Sequence, residues 1–289
     1  MRLLPEYWQG VVRDPKTDLG LDYVDVEFAS PTAVGGKDHM LRGWHVPVES
    51  ELGTIIVMVH GGGRDRRAFL RHVPLFHRND YACLLFDLSE HGVSDGTRRG
   101  FSYGVREHKD VIAAAQFAKK TLGYKRIVVL STSVGGTAGI IATALCKDID
   151  ACIAENALTR PEELIEDIYW LGLDFAVGRR LARNAVLRTF GRLVMAVFLY
   201  RVGAINGDSL WSTHVSAIDV IHRISPRPVL LMHGTADQMV SHAHSERLFE
   251  NAAEPKKLWI SSGATHCALF DHEPAVFEEH VLTFLAQVK

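Results

Sequence analysis

The chain has 289 residues, enough for one large domain or two small ones around a sizeable core. An apolar share of 47% with 23% charged residues matches an ordinary soluble globular protein, and a net charge of -2 gives no general pull toward nucleic acid. No uninterrupted apolar run approaches the roughly 20 residues that span a bilayer, and the opening MRLLPEYWQGVVRDPKTD lacks the pattern of a signal peptide. The four cysteines, Cys83, Cys146, Cys152 and Cys267, are scattered and form no C-x-x-C pair. They read as buried free thiols in a reducing compartment, so the expected location is the cytoplasm.

In chain order, Tyr23 to Ser30 alternates like a half-exposed strand, and Met40 to Val48 reads as its hairpin partner. Thr54 to His60 and Tyr81 to Asp87 are continuous apolar runs, with a helical segment around Ala68 to His77 between them. Helical periodicity then runs from Val105 to Thr121 and stops at Gly123. Arg126 to Ser131 is another buried strand, followed at once by the small-residue helix GGTAGIIATAL. Ala151 to Ala154, Pro228 to Gly234 and KKLWISSG are further strands, and Ala275 to Val288 closes the chain as an amphipathic helix. About eight strands alternating with helices predict an α/β fold, a mostly parallel sheet with helices on both faces. Residues 156–225 carry no strand signal, only helical patterning rich in arginine, and no linker composition flanks them. They are expected to be a helical cap inserted into a single domain.

The strongest local signal is STSVGG, Ser131 to Gly136, between a buried strand and a helix. A serine on so sharp a turn needs very small residues two positions away on either side, because strand and helix backbones crowd there. Ser131 and Gly135 meet that need around Ser133, although glycine is usual at the first position. The second signal is HGGG, His60 to Gly63, directly after an apolar strand. Its glycines let backbone N–H groups point into a cavity and stabilise a developing oxyanion, so Gly62 and Val134 are the candidate donors. Phosphate cradling is disfavoured, because neither G-x-x-x-x-G-K-[ST] nor G-x-G-x-x-G is present.

A nucleophilic serine needs a base, and with fifteen histidines position must decide. The order serine, acid, histidine leaves late candidates. His266, in GATHC after the last strand, is preferred over its rival His272, and His242, His244 and His280 fall in helical contexts. Asp237, in HGTADQMV after a buried strand, is the candidate acid; Glu155, ending an earlier strand, competes with it.

Together these motifs resemble the α/β-hydrolase superfamily over essentially the whole chain. DLGLDYVDVEF…LRGWHVP is similar to the first hairpin of the single-domain hydrolases related to serine aminopeptidases and monoacylglycerol lipases. DLSEHGVSDG, Asp87 to Gly96, resembles their D-x-R-G-H-G-x-S-x-G loop, with Ser89 where arginine is usual. The resemblance implies cofactor-free hydrolysis of an ester, thioester or amide through an acyl-enzyme, with a small acyl ester the expected substrate. Two alternatives stand beside it: a peptidase or amidase on the same triad, and a non-catalytic binding module on a hydrolase scaffold.

No zinc signature such as H-E-x-x-H occurs, so His242, His244, Asp271 and His272 are expected to be solvated and no metal is expected. Cys267 reads as a small packed residue. Arg64, Arg66 and Arg67 read as a solvated helix start, with carboxylate binding as the alternative. In the insert, Val186, Phe190, Leu193, Val194 and Val197 fall on one helical face, with Arg183, Arg188 and Arg192 outside it. That face is expected to cover the site as a lid; resting on an anionic membrane surface is its rival.

Overall fold

The structure is a computed structural model that describes residues 14–31, 38–49, 53–97, 100–164, 186, 189–191, 193, 197 and 215–288. The strands are β1 (Val24–Ser30), β2 (His39–Val46), β3 (Thr54–Val59), β4 (Ala82–Phe86), β5 (Arg126–Thr132), β6 (Ala151–Glu155), β7 (Val229–Gly234) and β8 (Lys256–Ser261). The α-helices are α1 (Pro15–Leu19), α2 (Val73–His77), α3 (Glu107–Lys120), α4 (Val134–Leu145), α5 (Ala217–Val220), α6 (Ala243–Asn251), α7 (Leu269–His272) and α8 (Pro274–Leu285). The sheet order is β1-β2-β4-β3-β5-β6-β7-β8. β2 runs antiparallel to β1 and β4, and β3 to β8 pair in parallel.

Every residue of β3, β4, β6 and β7 is buried, which is why these strands read as continuous apolar runs rather than alternating ones. Side chains still alternate between faces. Ile56, Met58, Val128, Leu130 and Ile153 pack with Phe76, Phe277 and Phe284 under α2 and α8. Ile55, Val57, Val59, Ile127 and Val129 pack with Val111, Ala114 and Ala138 under α3 and α4. Acidic Glu107 and Asp110 open α3 and Lys119 and Lys120 close it, in accord with the helix dipole.

One expectation needs correction. The helical segment near Ala68 begins as a 3-10 helix, Arg66–His72, and becomes α-helical only at Val73. Pro74 has no N–H to give the Leu70 carbonyl four residues back, so the tighter i−3 bond from Val73 to Leu70 closes that turn. In the expected lid, Val186, Phe190, Leu193 and Val197 are helical and 78%, 63%, 62% and 52% exposed. Leu158, Leu164 and Val240, joined by Tyr103, already close a small apolar cluster of their own. Val194, Arg183, Arg188 and Arg192 lie outside the described residues, as does most of the expected cap. The two ends of that insertion meet: Ile218 N–H donates to the Thr159 carbonyl at 3.4 Å, and Arg160 Nη1 donates to Asp219 at 2.8 Å.

Candidate active site

Ser133 stands between β5 and α4 with φ 55 and ψ −122, a region that L residues adopt only when their surroundings force it. The forcing is steric. A Cβ at Gly135 would lie 2.4 Å from the His60 carbonyl oxygen and 2.5 Å from that of Val59, so only glycine lets α4 approach β3 so closely. Ser131, in the position where glycine is usual, fits because the space is made on the helix instead. A Cβ at Gly139 would stand 2.5 Å from Ser131 Oγ, and that hydroxyl donates to the Ile153 carbonyl at 3.0 Å.

Three loops at the carboxyl ends of the parallel strands bring the predicted residues together. His266 Nε2 lies 3.0 Å from Ser133 Oγ, and its Nδ1 lies 2.7 Å from Asp237 Oδ2. The Asp237 side chain is fully buried. Its Oδ1 accepts the N–H groups of Met239 at 2.8 Å and Val240 at 2.9 Å, and its Oδ2 accepts Asn156 Nδ2 at 2.7 Å. His233 Nε2 stands 3.3 Å from the same oxygen. Burial opposes ionisation of Asp237, but the bonds from His233 and His266 outweigh it and hold the carboxyl well below its usual range. For His266, burial alone would lower the pKa; the Cys267 sulfur and the Asp237 carboxylate more than reverse that and raise it.

The glycine loop lies against Ser133. A Cβ at Gly61 would stand 3.1 Å from Ser133 Cβ, so this loop and the serine are in contact. His60 is fully buried; its Nδ1 is 2.8 Å from the Gly61 carbonyl and its Nε2 accepts the Leu88 N–H at 3.0 Å. Burial pushes its pKa down to about 3, with the neighbouring His91 adding to the effect, so the ring stays neutral and clamps the loop. His91 Nε2 accepts the Gly63 N–H at 3.1 Å, while its Nδ1 lies 2.9 Å from the Ser89 carbonyl. With Gly63 thus engaged, the N–H groups of Gly62 and Val134 remain without an acceptor among the described residues. Phe101 presses on the same loop, since a Cβ at Gly62 would meet its ring at 2.9 Å. Glu107 secures the Phe101 turn by accepting the N–H groups of Ser102 at 2.7 Å and Gly104 at 2.8 Å.

The rivals go elsewhere. Glu155 accepts the Leu269 N–H at 3.1 Å rather than holding His266, and His272 Nε2 lies 2.9 Å from the Ser262 carbonyl. His244 is buried against Thr159 Oγ1 at 2.7 Å, a structural contact and not a solvated one. Arg66 lies over the Trp44 ring at 4.2 Å and Arg67 bonds Asp65, which corrects the picture of a merely solvated helix start. Cys267 is half-buried with φ 54, not a packed core residue, whereas Cys83, Cys146 and Cys152 are buried; all four thiols are free. No cluster of metal-binding residues occurs among the described residues, and no described helix is long and apolar enough to cross a membrane.

Sequence reasoning missed Asn156, His91 and Glu107. Asn156 and His91 act through contacts distant in sequence, whereas Glu107 bonds nearby Ser102 and Gly104; the readable signals were the DLSEHGVSDG loop, which contains His91, and the polar pair Glu155-Asn156 after an otherwise apolar strand.

A model of the alpha/beta hydrolase family matches residues 56–279, from β3 through the first half of α8. The chain belongs to the alpha/beta hydrolase family. Protein YqkD of Bacillus subtilis is 25% identical over 260 residues, which cover 89% of this hydrolase and 78% of that protein. The esterase Pf2001 of Pyrococcus furiosus superposes with a TM-score of 0.71 at 20% identity, covering 96% of each chain. The alpha/beta hydrolase GrgF from Penicillium superposes with a TM-score of 0.69 at 23% identity, covering 93% of this chain and 99% of that one. At these identities the two structures speak to the fold that this hydrolase shares.

Proposed function

We propose that this hydrolase cleaves small carboxylic esters or thioesters through an acyl-enzyme, with Ser133 as nucleophile, His266 as general base and Asp237 as its orienting acid. The observation that carries this reading is the relay from Ser133 Oγ to His266 Nε2 at 3.0 Å and from His266 Nδ1 to Asp237 at 2.7 Å. Ser133 Oγ attacks the substrate carbonyl while His266 takes its proton. The tetrahedral oxyanion rests on the N–H groups of Gly62 and Val134, and the alcohol or thiol departs with the proton from His266. Water then repeats the sequence on the acyl-serine and frees the acid. Asp237 stays ionised throughout, fixing the imidazole tautomer and stabilising the imidazolium. Phe101 and Tyr103, whose rings meet edge to face at 5.0 Å, form an apolar wall suited to an acyl group.

Fluorophosphonate labelling with peptide mapping tests the reading. Ser133 is expected to carry the label, and Ser133→Ala to lose both the label and about a millionfold in kcat. A labelled Ser131, or continued labelling of Ser133→Ala, overturns it. A p-nitrophenyl ester series of rising acyl length then defines the substrate class.

A further inference from the structure

β6 lies between the strand that leads to Ser133 and the strand that leads to Asp237, yet it contributes no member of the relay. Its last residue and the one after it touch all three segments that do. The Glu155 carbonyl accepts the Ser133 N–H at 2.8 Å, and the Glu155 carboxylate accepts the Leu269 N–H at 3.1 Å, three residues beyond His266. Asn156 Nδ2 donates to Asp237 Oδ2 at 2.7 Å, and Asn156 Oδ1 accepts the Cys267 N–H, next to His266, at 3.2 Å. The amide orientation follows from its partners: a carboxylate takes only a donor and a backbone N–H takes only an acceptor.

Two further facts show that this arrangement is demanding. Asn156 is fully buried and holds φ 53, a left-handed backbone that asparagine tolerates better than other residues with a Cβ. Its own N–H donates to the Met232 carbonyl at 2.9 Å, so the turn is pinned to β7 as well. Glu155 is buried beside it.

Building on the proposed hydrolase chemistry, we infer that Glu155 and Asn156 form a positioning clamp, which registers the nucleophile, the acid and the base loop against one another. Neither residue reaches the reacting atoms. Asn156 keeps the Asp237 carboxylate turned toward His266, and the N–H groups of Cys267 and Leu269, donating to Asn156 and Glu155, hold the base loop just after His266. The titratable groups around the clamp are Asp237 and His233 from β7 and its loop, and His266, Cys267 and Asp271 from the segment after β8. Burial pushes the Glu155 carboxyl up to about 7, against the opposing pull of the Leu269 N–H and His266, so Asp237 remains the principal anion facing the imidazole near neutrality.

The test uses the full chain, with kcat counted per fluorophosphonate-labelled site so that only folded enzyme is scored, and p-nitrophenyl acetate as substrate. Asn156→Gly keeps the left-handed backbone and removes the amide. Its kcat should fall on the order of a hundredfold, the loss that follows from about 1 Å of misplacement, with KM changed little. Asn156→Asp retains the acceptor for Cys267 but sets a second carboxyl against Asp237. Two carboxyls that close share one proton, so the pair keeps a single negative charge, now divided between the two groups; kcat should fall and the acid limb of the kcat/KM profile should move to lower pH, because the charge facing the imidazolium is weakened. Glu155→Gln keeps an acceptor for Leu269 and should exceed Glu155→Leu in kcat by about tenfold, one hydrogen bond's share of a barrier. A wild-type kcat in Asn156→Gly, an unmoved limb in Asn156→Asp, or equal rates in the two Glu155 variants overturns the clamp. If the wild-type enzyme itself fails to label at Ser133, the hydrolase reading falls instead, so the two failures are distinct.

Discussion

The two walls of the site are built by different physics. On the side of β3 and β4, the glycine loop is fixed by close packing and by rings bonded to backbone: Gly61 against Ser133, Phe101 against Gly62, His60 to Gly61 and His91 to Gly63. On the side of β7 and β8, the groups are held by charge and its hydrogen bonds, with Asp237 accepting from two backbone N–H groups and from Asn156. The first wall needs only a fixed shape, since backbone donors carry no titratable charge. In the proposed reaction the second changes its charge state in each turnover, so it needs partners that stabilise an ion. Disturbance of the first wall should therefore act through geometry at every pH, and disturbance of the second through protonation.

The largest effect expected on the charged wall is that of Asp237→Asn, which keeps the shape but removes the anion and favours the wrong imidazole tautomer. A loss of about ten-thousandfold in kcat is expected by steady-state assay, with labelling by fluorophosphonate slowed in parallel. Full activity in that variant, with loss in Glu155→Gln, would move the acid to β6. On the packed wall, His91→Phe keeps a ring against Phe101 but strands the Gly63 N–H. A fall of about tenfold in kcat is expected, with KM steady and the pH profile unmoved, as befits about 1.4 kcal/mol of lost alignment. His91→Gln, whose amide oxygen can take the place of Nε2, should recover much of it.

The pH profile separates the walls directly. In the proposed reaction activity requires neutral His266, and the Cys267 sulfur and Asp237 carboxylate raise its pKa, so kcat/KM should climb with a midpoint above the ordinary imidazole value of about 6.5. A midpoint below that value would mean that burial outweighs the Asp237 charge. The smallest effect belongs to Ser131→Gly, which restores the usual small residue. It removes one buried hydrogen bond and opens space beside Gly139, so urea unfolding should register a loss of about 1 kcal/mol while turnover stays near wild type.

These contrasts also explain what could be read from the chain. The buried strands were legible because parallel strands covered on both faces are continuously apolar, and the reacting residues because their turns demand small neighbours or follow strand ends. Ser133 and Gly135 announce themselves locally. Asn156 does not, because its partners Asp237 and Cys267 are distant in sequence and only the strand order brings them together. His91 stands in the DLSEHGVSDG loop, but its partner, a glycine in another loop, is not legible from that motif. The apolar face at Phe190 and Leu193 had a legible period but not a legible partner, since periodicity reports which residues share a side and not what that side meets.

The meeting of Thr159 with Ile218 and of Arg160 with Asp219 has a consequence for how this enzyme can diversify. A segment that leaves and rejoins the domain at one doorway can be lengthened, shortened or exchanged without moving the strands on either side. Closing such an excursion costs only about 0.6 kcal/mol more for each doubling of its length, less than a single misplaced core methylene. Thr159 with Ile218 and Arg160 with Asp219 are therefore natural junctions at which the residues between them can be exchanged while the flanking strands keep their places.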